Sequence, residues 1–140
     1  DHTGERYLAH FVEGAHLIDG AADAVAALAE RMTVIAVTNG FGDVQHQRLD
    51  RSGLRPHLSG VVVSDEVGAA KPQPAIFDRA FEVAGNPPRD RVAIVGDSLT
   101  SDIAGGREYG ITTIWVNPHG ADHAPHPAPD HVIENLAQLV

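Results

Sequence analysis

Residues 92–102, VAIVGDSLTSD, start as an apolar run, break at Gly96 and then place two carboxylates, Asp97 and Asp102, within one short stretch. A continuous apolar run of this length fits a strand buried on both faces, as in parallel sheets covered by helices. An acid at the end of such a strand, with a second acid just beyond it, suits a divalent cation that takes oxygen ligands. Any partner residues then belong at the carboxyl ends of the neighbouring strands, where open parallel sheets bind their ligands.

Working outward, three more segments share this character. TVIAVTNG (33–40) is β-branched and apolar until it stops at Asn-Gly, GVVVSDE (60–66) is a second buried strand, and ITTIWVN (111–117) follows the 91–97 strand as a fourth. Between them lie amphipathic stretches. Residues 21–31 are Ala-rich with helical spacing, 42–52 form a polar helix stopped at Gly53, and 71–85 a helix with an early proline and a closing Gly85. Residues 100–110 form a helix weakened inside by Gly105 and Gly106. Residues 5–16 read as a short helix and 118–130, with their prolines and histidines, as loop. The last ten residues read as a short extended piece and a terminal helix. Strands alternating with helices predict an α/β fold: a three-layer, Rossmann-like parallel sheet.

The composition bounds the function. At 140 residues the chain is one domain's worth, and 43% hydrophobic with 21% charged is ordinary for a globular protein. A net charge of −9 leaves no basic patch for nucleic acid, and no apolar run reaches the length that spans a bilayer. The first ten residues lack the basic and apolar segments of a secretion signal. Cysteine is absent, which removes disulfides, thiol catalysis and zinc ribbons and fits a cytoplasmic location.

Thr38, Asn39 and Gly40 end the first strand, Ser64 and Asp65 the second, with Lys71 shortly after, and Asp97 the third. Singly, these are a strand ending in a turn, a helix start, an N-cap, and, for Asp102, a favourable charge in a helix's first turn. Together on one rim, a hydroxyl, an ammonium and two acids suit a phosphoryl group and a divalent cation.

VTNG, then KPQPAIFDRA, then VGDSLTSDIAGGREYGITTIWVN strongly resembles the haloacid dehalogenase-like hydrolase superfamily. The likeness runs from about Asp19 to Asn117 and is nearest to nucleotidase-like phosphatases of the helical-cap branch. The resemblance implies a magnesium-dependent phosphomonoesterase for a small phosphorylated metabolite, such as a nucleotide or sugar phosphate. By position, Thr38 matches the hydroxyl that bonds phosphoryl oxygens, with Asn39 and Gly40 in the substrate loop. Lys71 matches the lysine that steadies negative charge, Asp97 a Mg²⁺ ligand, and Asp102 the second acid, acting directly or through water. In the family an aspartate attacks phosphorus and forms an aspartyl-phosphate that water cleaves.

That nucleophile belongs to an Asp-x-Asp pattern on a central strand, and this sequence contains no Asp-x-Asp. Residues 1–18 resemble the end of a helical cap domain, and 19–140 an incomplete α/β hydrolase core domain without its central strand and most of its cap. With a first residue Asp1, the chain reads as the C-terminal part of a longer phosphatase. As written it is expected not to turn over, and the unpaired central edges to promote self-association. The competing readings are a catalytically inactive phosphate-binding or assembly fragment, a haloacid dehalogenase, and a phosphosugar mutase. His119, His123 and His126 with Asp122 carry ligand types for zinc or nickel, but the prolines around them favour a solvated loop. Trp115 and Tyr109 read as packing residues, Asp65 and Glu66 as solvated loop acids, and Phe41 as a pocket-entrance or helix-entry residue.

Overall fold

The computed structural model describes residues 6–10, 21–40, 42–117 and 127–139. Strand β1 (Arg6–His10) comes first, then α1 (Ala21–Ala29), β2 (Met32–Thr38), α2 (Gly42–Ser52) and β3 (Gly60–Val63). The one-turn helix α3 (Ser64–Val67) leads to α4 (Pro74–Val83) and β4 (Val92–Gly96). A π-helical turn (Leu99–Ile103) runs into α5 (Ala104–Tyr109), β5 (Thr112–Val116) and the short β6 (His131–Ile133). All six strands lie in one parallel sheet, in the order β3-β2-β1-β4-β5-β6.

The alternation of side chains along the strands divides the interior into two layers. Val34 and Ala36 of β2 and Val95 of β4 face α1 and α2, where they meet Val25, Leu28 and Leu49. Ile35 and Val37 of β2 and Ile94 of β4 face the other way, onto Ile76, Phe77 and Phe81 of α4 and Tyr109 of α5. These strands are buried on both sides, which is why they read as unbroken apolar runs. Gly105 and Gly106, a weakness in an isolated helix, are contact points here. A Cβ on Gly105 would lie 2.8 Å from the Phe77 ring, and one on Gly106 2.6 Å from Ile94. The two glycines let α5 sit directly against the sheet and against α4.

The four central segments read as strands from sequence are strands. Three expectations need correction. The second strand ends at Val63, because Ser64–Val67 turns into helix that Gly68 closes in the left-handed conformation. Residues 6–10, expected in a helix, are extended. They pair in parallel with β2 on one side and β4 on the other, Leu8 lying opposite Val34 and Ala93. The premise of self-association through two open central edges falls with this, since β1 occupies the slot between them. The reason is the demand of interior backbone: N–H and C=O groups along β2 and β4 must be bonded, and the Tyr-Leu-Ala stretch meets that demand. The strand in the slot, Arg-Tyr-Leu-Ala-His, carries no acid. Residues 118–126, with the three histidines, and Phe41 lie outside the described residues.

Candidate active site

The carboxyl ends of β2 and β4 converge on a buried ion pair. Lys71 Nζ donates to Asp102 Oδ1 at 2.8 Å, and neither side chain is exposed to solvent. The ammonium also donates to the Val37 carbonyl at 3.2 Å, which ties it to the carboxyl end of β2. Asp102 Oδ2 accepts the Ser98 backbone N–H at 3.1 Å. Both oxygens are therefore engaged on the protein side. A pair this buried is held by geometry and by these extra hydrogen bonds, which offset the desolvation of two charges.

Asp102 gets there through a local irregularity. The turn from Leu99 to Ile103 is π-wound, with the N–H groups of Asp102 and Ile103 both donating to the Ser98 carbonyl. Gly96 makes room: a Cβ there would lie 2.0 Å from Asp102 Oδ2. Glycine is thus required by the close approach of the carboxylate.

Asp97 occupies a different environment. It is partly exposed just past the end of β4, and its carbonyl accepts the Trp115 indole N–H at 3.0 Å. Trp115 is more than a packing residue, because it fixes the main chain at the acid nearest the rim. The structure separates the two acids further, Asp102 sealed against Lys71 and Asp97 partly exposed.

Thr38 is buried, and its hydroxyl donates to the Asn39 carbonyl at 3.3 Å. Asn39 pairs its side-chain amide with the backbone of Lys71: Oδ1 accepts the Lys71 N–H at 2.9 Å, and Nδ2 donates to the Lys71 carbonyl at 3.3 Å. The Lys71-Pro72 peptide beyond is cis. Gly40 N–H donates to Ser64 Oγ at 2.9 Å. Asp65 accepts the Gly42 N–H at 2.8 Å and so caps the amino end of α2, where a carboxylate is electrostatically favoured. Glu66 lies against His46 of α2, Nε2 to Oε2 being 3.2 Å. These two acids of α3, read from sequence as solvated loop residues, bond to α2. Direct hydrogen bonds thus link the loop of Thr38, Asn39 and Gly40 to Lys71 and Ser64. Sequence reasoning missed the roles of Trp115, Ser64 and Gln45, the last of which donates to the Asn39 carbonyl at 2.9 Å.

The donor set fits magnesium. Among the described residues no group of three His, Cys, Asp or Glu side chains could cage an ion. Mg²⁺ is ordinarily held by one or two carboxylates, completed by waters and substrate oxygens. Asp97 at the rim, backed by Asp102, is a set of that kind.

A family model described as HAD-hydrolase-like matches residues 68–139, just over half of the chain and all of the Lys71–Asp102 region. The chain belongs to the haloacid dehalogenase-like hydrolases. It is 42% identical to the pyrimidine 5′-nucleotidase YjjG of Escherichia coli, over 87% of this chain and 54% of that protein. The crystal structure of the HAD hydrolase YfnB of Bacillus subtilis, bound to magnesium, superposes with a TM-score of 0.81 at 36% identity. It covers 86% of this chain and 53% of that one. A 2-haloacid dehalogenase of Pseudomonas syringae superposes with a TM-score of 0.72 at 34% identity, over 84% of this chain and 48% of that one. The chain thus spans about half the length of these hydrolases, and no helix among the described residues is long and apolar enough to cross a membrane.

Proposed function

We propose that this chain forms most of the core of a magnesium-dependent phosphomonoesterase. Its substrate is a small organic phosphate, with nucleoside monophosphates first and sugar phosphates second. The carrying observation is the Lys71–Asp102 pair sealed at the rim, with the partly exposed Asp97 just past the end of β4. Lys71 supplies a fixed positive charge for the phosphoryl oxygens. Its position is set by Asp102 and the Val37 carbonyl, so little reorganisation is needed as negative charge builds up. Thr38 donates its hydroxyl to one of those oxygens, and the substrate loop of Asn39 and Gly40 fixes where that hydroxyl sits. Asp97 would hold Mg²⁺, with Asp102 acting behind it through water because both its oxygens are already bonded. The ion, when bound, neutralises charge on the transferring group.

The nucleophile comes from outside this chain. No Asp-x-Asp occurs in it, so as written it is inactive, binding phosphate at most. In the longer protein, an upstream strand bearing the aspartate takes the central slot that β1 fills here. The lack of cysteine fits a cytoplasmic setting. Similarity to both a nucleotidase and a dehalogenase keeps a second reaction in view. The magnesium-type pair Asp97 and Asp102 favours phosphate chemistry, because carbon–halogen hydrolysis in this superfamily needs no metal. The test is a panel of nucleoside monophosphates, sugar phosphates and 2-haloacids offered to the longer protein. Release of phosphate with Mg²⁺ present supports the proposal, and release of halide without metal overturns it.

A further inference from the structure

We propose that Gln45 is a positioning residue for the reaction, acting through the Asn39–Gly40 peptide rather than on substrate. The inference rests on the phosphomonoesterase reading above. Gln45 projects from the first turns of α2, and is only 8% exposed. Its Nε2 donates to the Asn39 carbonyl at 2.9 Å. The N–H at the other end of that same peptide, Gly40 N–H, donates to Ser64 Oγ at 2.9 Å. One peptide plane is thus gripped from both sides, by α2 and by α3, immediately after Thr38.

Two further observations set Gln45 apart from a residue buried for packing. Gly40 has φ +137°, and a Cβ on it would lie 2.6 Å from Gln45 Nε2, so the loop backbone is shaped around the amide. The Gln45 Oε1 atom is buried and accepts no hydrogen bond among the described residues. An apolar side chain of similar size would fill the space without that orphaned acceptor, which burial penalises. The useful atom is therefore the N–H. The Thr38 hydroxyl reaches the same Asn39 carbonyl, at 3.3 Å. Gln45 and the Thr38 hydroxyl thus share one acceptor, which couples the amide to the place of that hydroxyl.

The experiment uses Gln45→Leu and Gln45→Glu in the longer protein, with kinetics on a nucleoside monophosphate, thermal unfolding, and the amide resonance of Gly40. The expected result for Gln45→Leu is an unchanged or raised Tm with kcat lowered about tenfold or more, since small misplacements of catalytic groups are costly. KM should stay within about twofold, as expected for an interaction expressed in the transition state. The Gly40 amide should shift. Gln45→Glu should recover activity relative to wild type as pH falls, because a protonated carboxyl can again donate to the Asn39 carbonyl. A Leu variant with wild-type kcat and an unmoved Gly40 resonance overturns the proposal. So does a Glu variant whose pH profile parallels wild type. If wild type itself hydrolyses no phosphate ester, the function reading fails instead, and the Gly40 resonance alone judges the tether.

Discussion

Two groups of paired charges flank the loops of this protein, and they differ in almost everything but chemistry. Lys71 and Asp102 are sealed from solvent and joined by backbone hydrogen bonds to the ends of β2 and β4. On the outer side of α2, Arg55 pairs with Asp50 at 2.8 Å and donates to His46 Nδ1 at 2.8 Å, while His46 Nε2 faces Glu66. Side chains in that second group are between a third and two-thirds exposed. Water screens the outer group, whereas neither side chain of the inner pair is exposed. The same ion-pair distance therefore carries a very different energetic weight.

Removing one member of the inner pair should have the largest effect. Lys71→Met leaves Asp102 buried without its cation and should cost about 3–5 kcal/mol, read as a lowered denaturation midpoint. Adding Asp102→Leu should recover most of that loss, since an apolar pair of similar volume is tolerated where a lone charge is not. A single variant that loses under about 1 kcal/mol would show that the pair is not sealed as described.

A smaller effect is expected at Tyr109, which lies between the two extremes. Its hydroxyl donates to Asp78, its ring stacks on Phe77 at 5.4 Å, and the Arg89 guanidinium sits 4.2 Å above it. Burial, and then the Asp78 carboxylate, raise its pKa above the usual 10.0. The folded state thus holds the proton longer than the unfolded one. Its contribution to stability is complete below about pH 10 and is lost as pH rises through the folded value. Tyr109→Phe should remove that alkaline decline, and the pH dependence of the urea midpoint measures it. An identical decline in both proteins would place its origin elsewhere.

The smallest effect should come from the outer group. Arg55→Ala should cost less than about 1 kcal/mol and less still at high salt, because the pair is screened. A loss as large as that of Lys71→Met would erase the distinction between the two regions.

Much of the sheet was legible because its strands are buried on both faces. TVIAVT, GVVV, VAIVG and TTIWV could hardly be anything else. Strand β1 was not legible, since Arg-Tyr-Leu-Ala-His has no such run and is extended only because two interior strands need a partner. The one-turn helix Ser64–Val67 was hidden because it follows the apolar run without a break. At the site, residue types and order pointed to Thr38, Asn39, Gly40, Lys71, Asp97 and Asp102. What they left open was whether Asp102 acts directly or through water, which depends on the π turn and on Gly96. Gln45 was invisible for a similar reason: in GDVQHQRLDRS most residues are as polar, and only packing against the Asn39–Gly40 peptide marks it.

The measurement that tests the central claim most directly is the Mg²⁺ dependence of nucleoside monophosphate hydrolysis by the longer protein, as wild type and as Asp97→Asn. Asp97, partly exposed past the end of β4, is the acid placed to meet the ion. Wild type should release phosphate only with Mg²⁺, and Asp97→Asn should lose at least about a hundredfold, comparable to removing one preorganised electrostatic group. Hydrolysis that is indifferent to Mg²⁺, or unchanged in Asp97→Asn, would contradict the assignment of this rim as a metal-assisted phosphoryl-transfer site.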